Sequence, residues 1–261
     1  MLKMNYIKQH IESHICIIKF NRPKVFNSFN KEMALQFQET LDHCRDNKKI
    51  RALLITGEGK AFSAGQDLQE ITDPNGPVLT SIVRDHFNPI IERIRTIEKP
   101  VVCAVNGVAA GAGANIALCC DITIAAESVS FIQAFSKIGL IPDSGGTFFL
   151  PRSIGMQKAS ALMMLGDKIS ATEAENLGMI YKACPDKNLM NDAFEIAAKL
   201  AKMPTVALGL TKKALNLSLT NTLSDQLEVE ARLQTAASKT YDYSEGVSAF
   251  LEKRSAKFKG K

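Results

Sequence analysis

Residues Val101-Val-Cys-Ala-Val105 form an apolar run directly after Lys99-Pro100, and Asn106-Gly107 and then Gly111-Ala112-Gly113 follow at once. A run this short and this uniformly apolar suits a strand buried on both faces, as in a parallel sheet sealed by other layers. Asn106-Gly107 breaks it. The small residues that follow let main chain pass close to something bulky, because their side chains are absent or a single methyl. Residues 114–120 lack Gly and Pro and are apolar except for Asn115, which reads as a buried helix. A helix start presents N–H groups without partners and the positive end of a dipole, so a carbonyl oxygen aimed at it is polarised. Close strand–helix packing explains the same glycines equally well. The dinucleotide pattern is excluded, since the full glycine spacing and the acidic ribose partner are both missing. A phosphate loop is excluded too, because Lys-Ser/Thr does not follow the glycines.

A second unit of this kind lies upstream. Residues 52–55 read as a buried strand closed by Gly57 and Gly59, and Ala61-Phe-Ser-Ala-Gly-Gln-Asp-Leu68 is another glycine turn after a strand. Before it, 14–20 is an expected strand ending in the turn Asn21-Arg22-Pro23, and 24–29 an irregular loop. Asn30 suits an N-cap for a helix whose apolar face uses Met33, Phe37, Leu41 and Cys44. Residues 69–81, around Asp73-Pro-Asn-Gly-Pro77, read as a lid or surface loop, and 83–97 as a helix. Strands are expected at 121–126 and 128–133, and helices at 156–165 and 170–177, the latter with a Ser170/Glu173 capping box and a stop at Gly178. After Pro185 only amphipathic helices follow, at 189–203, 205–217, 223–240 and 244–258. The pattern predicts an α/β core over 1–185 and a helical subdomain over 186–261.

The 261 residues, 46% apolar and 23% charged, suffice for a core without staples. Cys16, Cys44, Cys103, Cys119, Cys120 and Cys184 show no CxxC spacing, which points to reduced thiols, no zinc site and a cytoplasmic location. Met-Leu-Lys-Met-Asn-Tyr at the start lacks the apolar stretch of an export signal, and no run reaches membrane-spanning length. The net charge of +5 is dispersed except near the C-terminus, so a phosphate-bearing ligand is favoured over nucleic acid.

Together with Lys99-Pro100, Cys120-Asp-Ile122, Gly145-Gly-Thr147, Leu150-Pro-Arg152, Glu245-Gly246 and Lys253-Arg254, the two glycine turns resemble the crotonase (enoyl-CoA hydratase/isomerase) superfamily over nearly the whole chain. The resemblance implies a crotonase-like spiral of ββα turns, C-terminal helices that assemble a homotrimer or dimer of trimers, and an acyl-CoA thioester as ligand. No metal and no separate cofactor are implied, coenzyme A being part of the substrate. The family's oxyanion hole falls on the main-chain N–H groups of Gln66 and Ala112. One such donor is worth roughly 3–4 kcal/mol of barrier. Lys24, Val25, Ala64, Asp67 and Leu68 fall where the family lines the coenzyme A nucleotide and pantetheine, and Gly111, Asn115 and Phe135 at the acyl pocket. Phe250 and Lys253 are expected from a neighbouring subunit. Read structurally instead, Lys24 is a solvated loop cation, Leu68 a core residue and Asp67 a structural carboxylate.

Hydratases of this family carry two glutamates, at the positions held here by Asn115 and Phe135. Neither exchanges a proton, so two-carboxylate water addition is not expected. Asp143 instead follows Ile141-Pro142, and an aspartate at this turn resembles the ring-epoxide isomerases of phenylacetate degradation within the superfamily. From the residues, Asp143 is either an N-cap for a helix starting near Gly145-Gly146 or a base and acid in one. A dry pocket of Phe135, Ile138 and Leu140 would raise its pKa, and Asn115 either orients it or satisfies a buried helix. With the oxyanion turns in place, the expected activity is an acyl-CoA isomerase that uses Asp143 as its single base and acid to shift a double bond, or to open a ring epoxide to an oxepin, through an enolate. The alternatives are a hydratase with displaced groups, a dehalogenase with Asp143 as nucleophile, and a non-catalytic RNA-binding protein using the basic residues at 253–259.

Overall fold

The computed structural model describes residues 5–261, so Met1 to Met4 of the segment weighed as an export signal lie outside the described residues. An edge hairpin comes first: β1 (Ile7–Glu12) and β2 (Ile15–Phe20) pair antiparallel through Ser13 and His14, both at positive φ. From there each pass lays one strand in a large sheet and the next in a small one. β3 (Ala52–Gly57) is followed by β4 (Ala61–Ser63), β5 (Val101–Val105) by β6 (Val108–Ala110), and β7 (Ile122–Ala126) by β8 (Ser130–Ile132). β9 (Lys168–Ser170) ends the small sheet and β10 (Lys182–Cys184) the large one. The orders are β1-β2-β3-β5-β7-β10 and β4-β6-β8-β9. This alternation is the expected ββα spiral. β2, β3, β5, β7 and β10 run parallel, as do β4, β6 and β8, so the turns leaving β4 and β6 emerge at the same end.

The helices are α1 (Lys31–Asp46), α2 (Leu68–Thr72), α3 (Leu79–Ser81), α4 (Asn88–Thr96), α5 (Ala112–Leu118), α6 (Gly146–Ile154), α7 (Met156–Leu165), α8 (Ala171–Asn176), α9 (Leu189–Lys202), α10 (Thr205–Ser218), α11 (Leu223–Ala237) and α12 (Tyr241–Leu251). β3 and β5 are buried at every residue, which their unbroken apolar sequences require. Asn30 caps α1 by accepting from Met33 N, and Met33, Phe37, Leu41 and Cys44 are all buried beneath it. Phe37 meets Phe20 edge-on at 5.0 Å between ring centroids. α9 presents Ala193, Ala197 and Ala201 to β3 and β5, small side chains that let a helix lie close to a sheet. The helix-only pattern after Pro185 therefore begins with a helix that seals the core.

Several elements differ from expectation, among them the unannounced strands β1, β6, β9 and β10. Residues 69–81 are not a bare loop: Asp67 caps α2 by accepting from Gln69 N. α3 then passes through a wide helical turn at Ile82–Phe87, where Asn88 N reaches back to Val83 O, into α4. The last helix is α12 rather than 244–258. Thr240 caps it, and beyond Leu251 the tail folds back because the buried Asp242 carboxylate accepts from Lys259 N and Gly260 N. α6 starts at Gly146 with Gly145 as its cap residue and no side-chain cap, so Asp143 is not an N-cap. All six cysteines are free and buried. Among the described residues no helix is long and apolar enough to cross a membrane.

Candidate active site

The two glycine turns leave neighbouring parallel strands and meet. Phe29 lies along the first: its N–H donates to Gly65 O at 2.7 Å, and its carbonyl accepts from Asp67 N at 2.8 Å. In extended chain, successive residues point their main-chain groups to opposite sides, so the N–H of Gln66, between those two, faces away from Phe29. Ala112 is the first residue of α5, where an N–H has no partner within the helix. Neither the Gln66 nor the Ala112 N–H finds an acceptor among the described residues. Two glycines enforce the contact. A methyl group on Gly65, at φ +86°, would lie 2.8 Å from Ala110 O and 3.2 Å from Ala112 N. One on Gly113 would lie 2.4 Å from Ser63 O. Only bare main chain brings the two donors side by side.

Both turns border a cavity of about 310 Å³. Leu68 and Ile71 of α2 line it, with Leu79, Ile82, Phe135, Ile138 and Leu140, and Ser28, Ala64, Gln66, Gly111, Ala112 and Ala134 complete the wall with Asp143. Among the described residues Asp143 is the one ionisable side chain in that lining. Its carboxyl is held above the ordinary aspartate range by desolvation, opposed in part by hydrogen bonds from the Ser144 hydroxyl and from its own main chain. Phe135 is buried at the far side of Gly111. Asn115 is buried and does not touch the carboxylate: its Nδ2 donates to the main-chain carbonyl of Asp143 at 2.8 Å.

The rim is tied together by hydrogen bonds that nothing in the sequence announces. Ala64 N donates to Phe26 O, Ser63 Oγ to Asn27 O, and Arg22 Nη1 to Ser28 O. These bonds hold the segment that follows the exposed Lys24 and half-buried Val25 against the first glycine turn, and neither Lys24 nor Val25 lines the cavity. Leu68 is 53% exposed at the cavity mouth and is no core residue. Asp67 is committed elsewhere, paired with Arg22 at 2.9 Å while it caps α2. Phe250 is 83% exposed on α12 and Lys253 follows that helix, and neither lines this cavity within one chain. The basic stretch is partly neutralised, since Arg254 is gripped by Glu245 and Glu252. Among the described residues no group of three or more His, Cys, Asp or Glu stands together to hold a metal ion.

Several participants were not legible, Ile71, Leu79 and Ala134 of the lining among them. Ser28 and Ile82 reach the cavity through loop and wide-turn geometry without a motif. Ser144 and Gln133 act on Asp143 and Asn115 by hydrogen bonds. For Ser144 the only sequence signal was adjacency to the aspartate.

Comparison with known proteins bears on the family and the fold. A family model described as enoyl-CoA hydratase/isomerase matches residues 10–261. The chain is similar to the 1,2-epoxyphenylacetyl-CoA isomerase of Escherichia coli K12, 48% identical over 99% of this chain and 100% of the relative. It is 42% identical to a Rhodobacter capsulatus protein named "Probable enoyl-CoA hydratase", over 98% of each. The crystal structure of an enoyl-CoA hydratase from Bacillus anthracis superposes with a TM-score of 0.91 at 34% identity, covering 98% of this chain and 100% of that one.

Proposed function

The chain belongs to the enoyl-CoA hydratase/isomerase family, and from that membership we propose that it is an acyl-CoA isomerase whose single base and acid is Asp143. The observation that carries the reading is the solitary carboxyl in an otherwise uncharged cavity, beside two free main-chain N–H groups. The thioester carbonyl sits between the N–H groups of Gln66 and Ala112. The Asp143 carboxylate takes a proton from the carbon α or γ to that carbonyl, and charge flows onto the held oxygen, where the paired donors stabilise it. The same carboxyl, now protonated, returns the proton at another carbon of the allyl system. One group serves both steps because the first step recharges it for the second. Desolvation brings its pKa upward, toward the carbon acid it must deprotonate.

Hydration by two carboxylates is the poorer reading, since Asn115 is consumed by the Asp143 main chain and Phe135 carries no proton. The name of the Escherichia coli relative favours a ring-epoxide thioester, opened to an oxepin through the same oxyanion, as one substrate class. Lys24, Val25, Ala64 and Leu68 then flank coenzyme A, which arrives as part of the substrate, with no metal or second cofactor in the scheme. A homotrimer or dimer of trimers would cover exposed apolar side chains of the C-terminal helices such as Leu223, Leu227, Phe250 and Leu251 and carry Phe250 and Lys253 toward a neighbour's ligand, in a cytoplasmic setting.

The test is Asp143→Asn assayed with unsaturated and ring-epoxide acyl-CoAs. Isomerase turnover is expected to vanish while CoA-ester affinity stays near that of the parent. Retained turnover overturns the reading. Loss of conjugated enoyl absorbance on crotonyl-CoA would favour the hydratase instead.

A further inference from the structure

Two buried amides stand behind the Asp143 turn. Asn115 of α5 is 1% exposed, and Gln133, which follows β8 and precedes the short helical turn Ala134–Ile138, is 3% exposed. Gln133 Nε2 donates to Asn115 Oδ1 at 2.8 Å, and Asn115 Nδ2 donates to the Asp143 carbonyl at 2.8 Å. We infer that Gln133 is a positioning residue for Asp143, acting through Asn115 by fixing which end of the Asn115 amide faces the catalytic turn. The inference rests on the reading of Asp143 as the proton carrier.

The argument is one of donor and acceptor polarity. A main-chain carbonyl only accepts, so Asn115 must turn its NH2 group toward Asp143. Its oxygen then faces Gln133, which must in turn present its own NH2 group. Reversing either amide sets oxygen against oxygen or leaves the Asp143 contact without a hydrogen. The price of this polarity is visible at the end of the relay: Gln133 Oε1 is buried with no partner among the described residues. An apolar side chain of the same length would fill that place without an orphaned acceptor. The orphan is intelligible if the Gln133 NH2 group is what the site needs.

The turn itself explains why it needs holding. Ser144 and Gly145 both lie at positive φ, +50° and +73°, immediately after Asp143. Among the described residues the Asp143 carbonyl has one other donor, Gly146 N at 2.9 Å. Asn115 is wedged under the start of α6, where a methyl group on Gly146 would come within 2.4 Å of Nδ2. With so little room, the amide keeps its place and only its polarity is open. The Asp143 carbonyl calls for one polarity and Gln133 locks it from the other side, which keeps the Asp143 main chain anchored with its carboxyl in the cavity.

Gln133→Met keeps the side-chain length and removes both the donor and the orphaned acceptor. On an acyl-CoA that the wild type isomerises, kcat should fall about 10- to 100-fold, as for misplacement of a reacting group. KM should stay within about two-fold, since ground-state binding is untouched, and the melting temperature should not drop. The Asp143 titration, followed by carboxyl 13C NMR, should move toward the ordinary aspartate range as the loosened turn admits water. Gln133→Asn, whose shorter side chain withdraws the donor, should reproduce the kcat loss and serves if the methionine variant does not fold. Wild-type kcat in these variants overturns the inference, as does a lowered melting temperature with kcat per folded molecule unchanged. Absence of isomerisation by the wild type would strike the isomerase reading instead. The Asp143 titration then decides the relay alone, and an unmoved titration overturns it.

Discussion

The Ser144 hydroxyl donates to Oδ1 of Asp143 at 2.9 Å, from a residue whose own φ is +50°. A non-glycine residue in the left-handed region carries backbone strain of about 1–3 kcal/mol, and here the strained residue is the one that grips the carboxyl lining the cavity. Burial raises the pKa of that carboxyl and the hydroxyl lowers it, so the two neighbours set its working range between them. Ser144→Ala removes the lowering influence and leaves burial unopposed by the hydroxyl. The acid limb of the pH–rate profile should therefore move to higher pH, with little change in KM.

The pH dependence of the wild type follows from the same carboxyl. Proton abstraction needs the carboxylate, so kcat/KM should fall on the acid side through one ionisation whose midpoint lies above 3.8, the ordinary aspartate value. A profile showing two acid-side ionisations would contradict a single-carboxyl mechanism.

Stability carries the opposite sign. Between pH 3.8 and the raised native pKa the folded chain holds a proton that the unfolded chain has released. Unfolding free energy therefore falls as pH rises through that window. Asp143→Asn removes the ionisation, so the variant should melt higher than the wild type at neutral pH, and the difference should close below pH 3.8. Thermal melts of both proteins across pH 3–8 would measure it.

Gly65→Ala adds a methyl group 2.8 Å from the Ala110 carbonyl at a φ of +86°. Main chain has to shift, and the two N–H donors separate. The expected cost is about 1–3 kcal/mol of stability, and turnover should fall by about 100-fold, as when one oxyanion donor is lost. Denaturant unfolding and steady-state kinetics on the same preparation would separate the two effects.

Asp67→Asn leaves the Arg22 guanidinium, only 15% exposed, without its counter-charge. Breaking such a pair from one side costs about 3 kcal/mol. Because Arg22 also holds Ser28 O, the segment carrying Lys24 and Val25 should loosen, and KM for the CoA ester should rise more than kcat falls. Equal stability of the variant and the parent would mean that the pair contributes nothing.

How much of this was legible depends on where the information lies. β3 and β5 could be read because a strand buried on both faces must be apolar throughout, and the sequence has no other way to meet that need. α1 and α8 could be read because Asn30 and Ser170 are caps that act within three residues. β1 could not, since Ile7 is its one buried residue and no alternation marks it. The end of α12 was misjudged because the bonds from Asp242 and Glu245 that turn the tail back span 12 to 18 residues. The glycine turns and the aspartate after Ile141-Pro142 were visible as motifs, but the choice between a cap and a pocket acid for Asp143 was not.

The sequence by itself determined the strand-and-turn skeleton, the family, and the absence of glutamates at Asn115 and Phe135, because these follow from residue type and short-range periodicity. Only the tertiary structure decided that Asp143 lines a cavity with no other charge among the described residues, that Asn115 holds its main chain rather than its carboxyl, and that Gln133 donates to the Asn115 amide oxygen. The physical reason is that hydrogen-bond direction and desolvation belong to the surroundings of a group, and those surroundings are assembled from segments that are far apart along the chain.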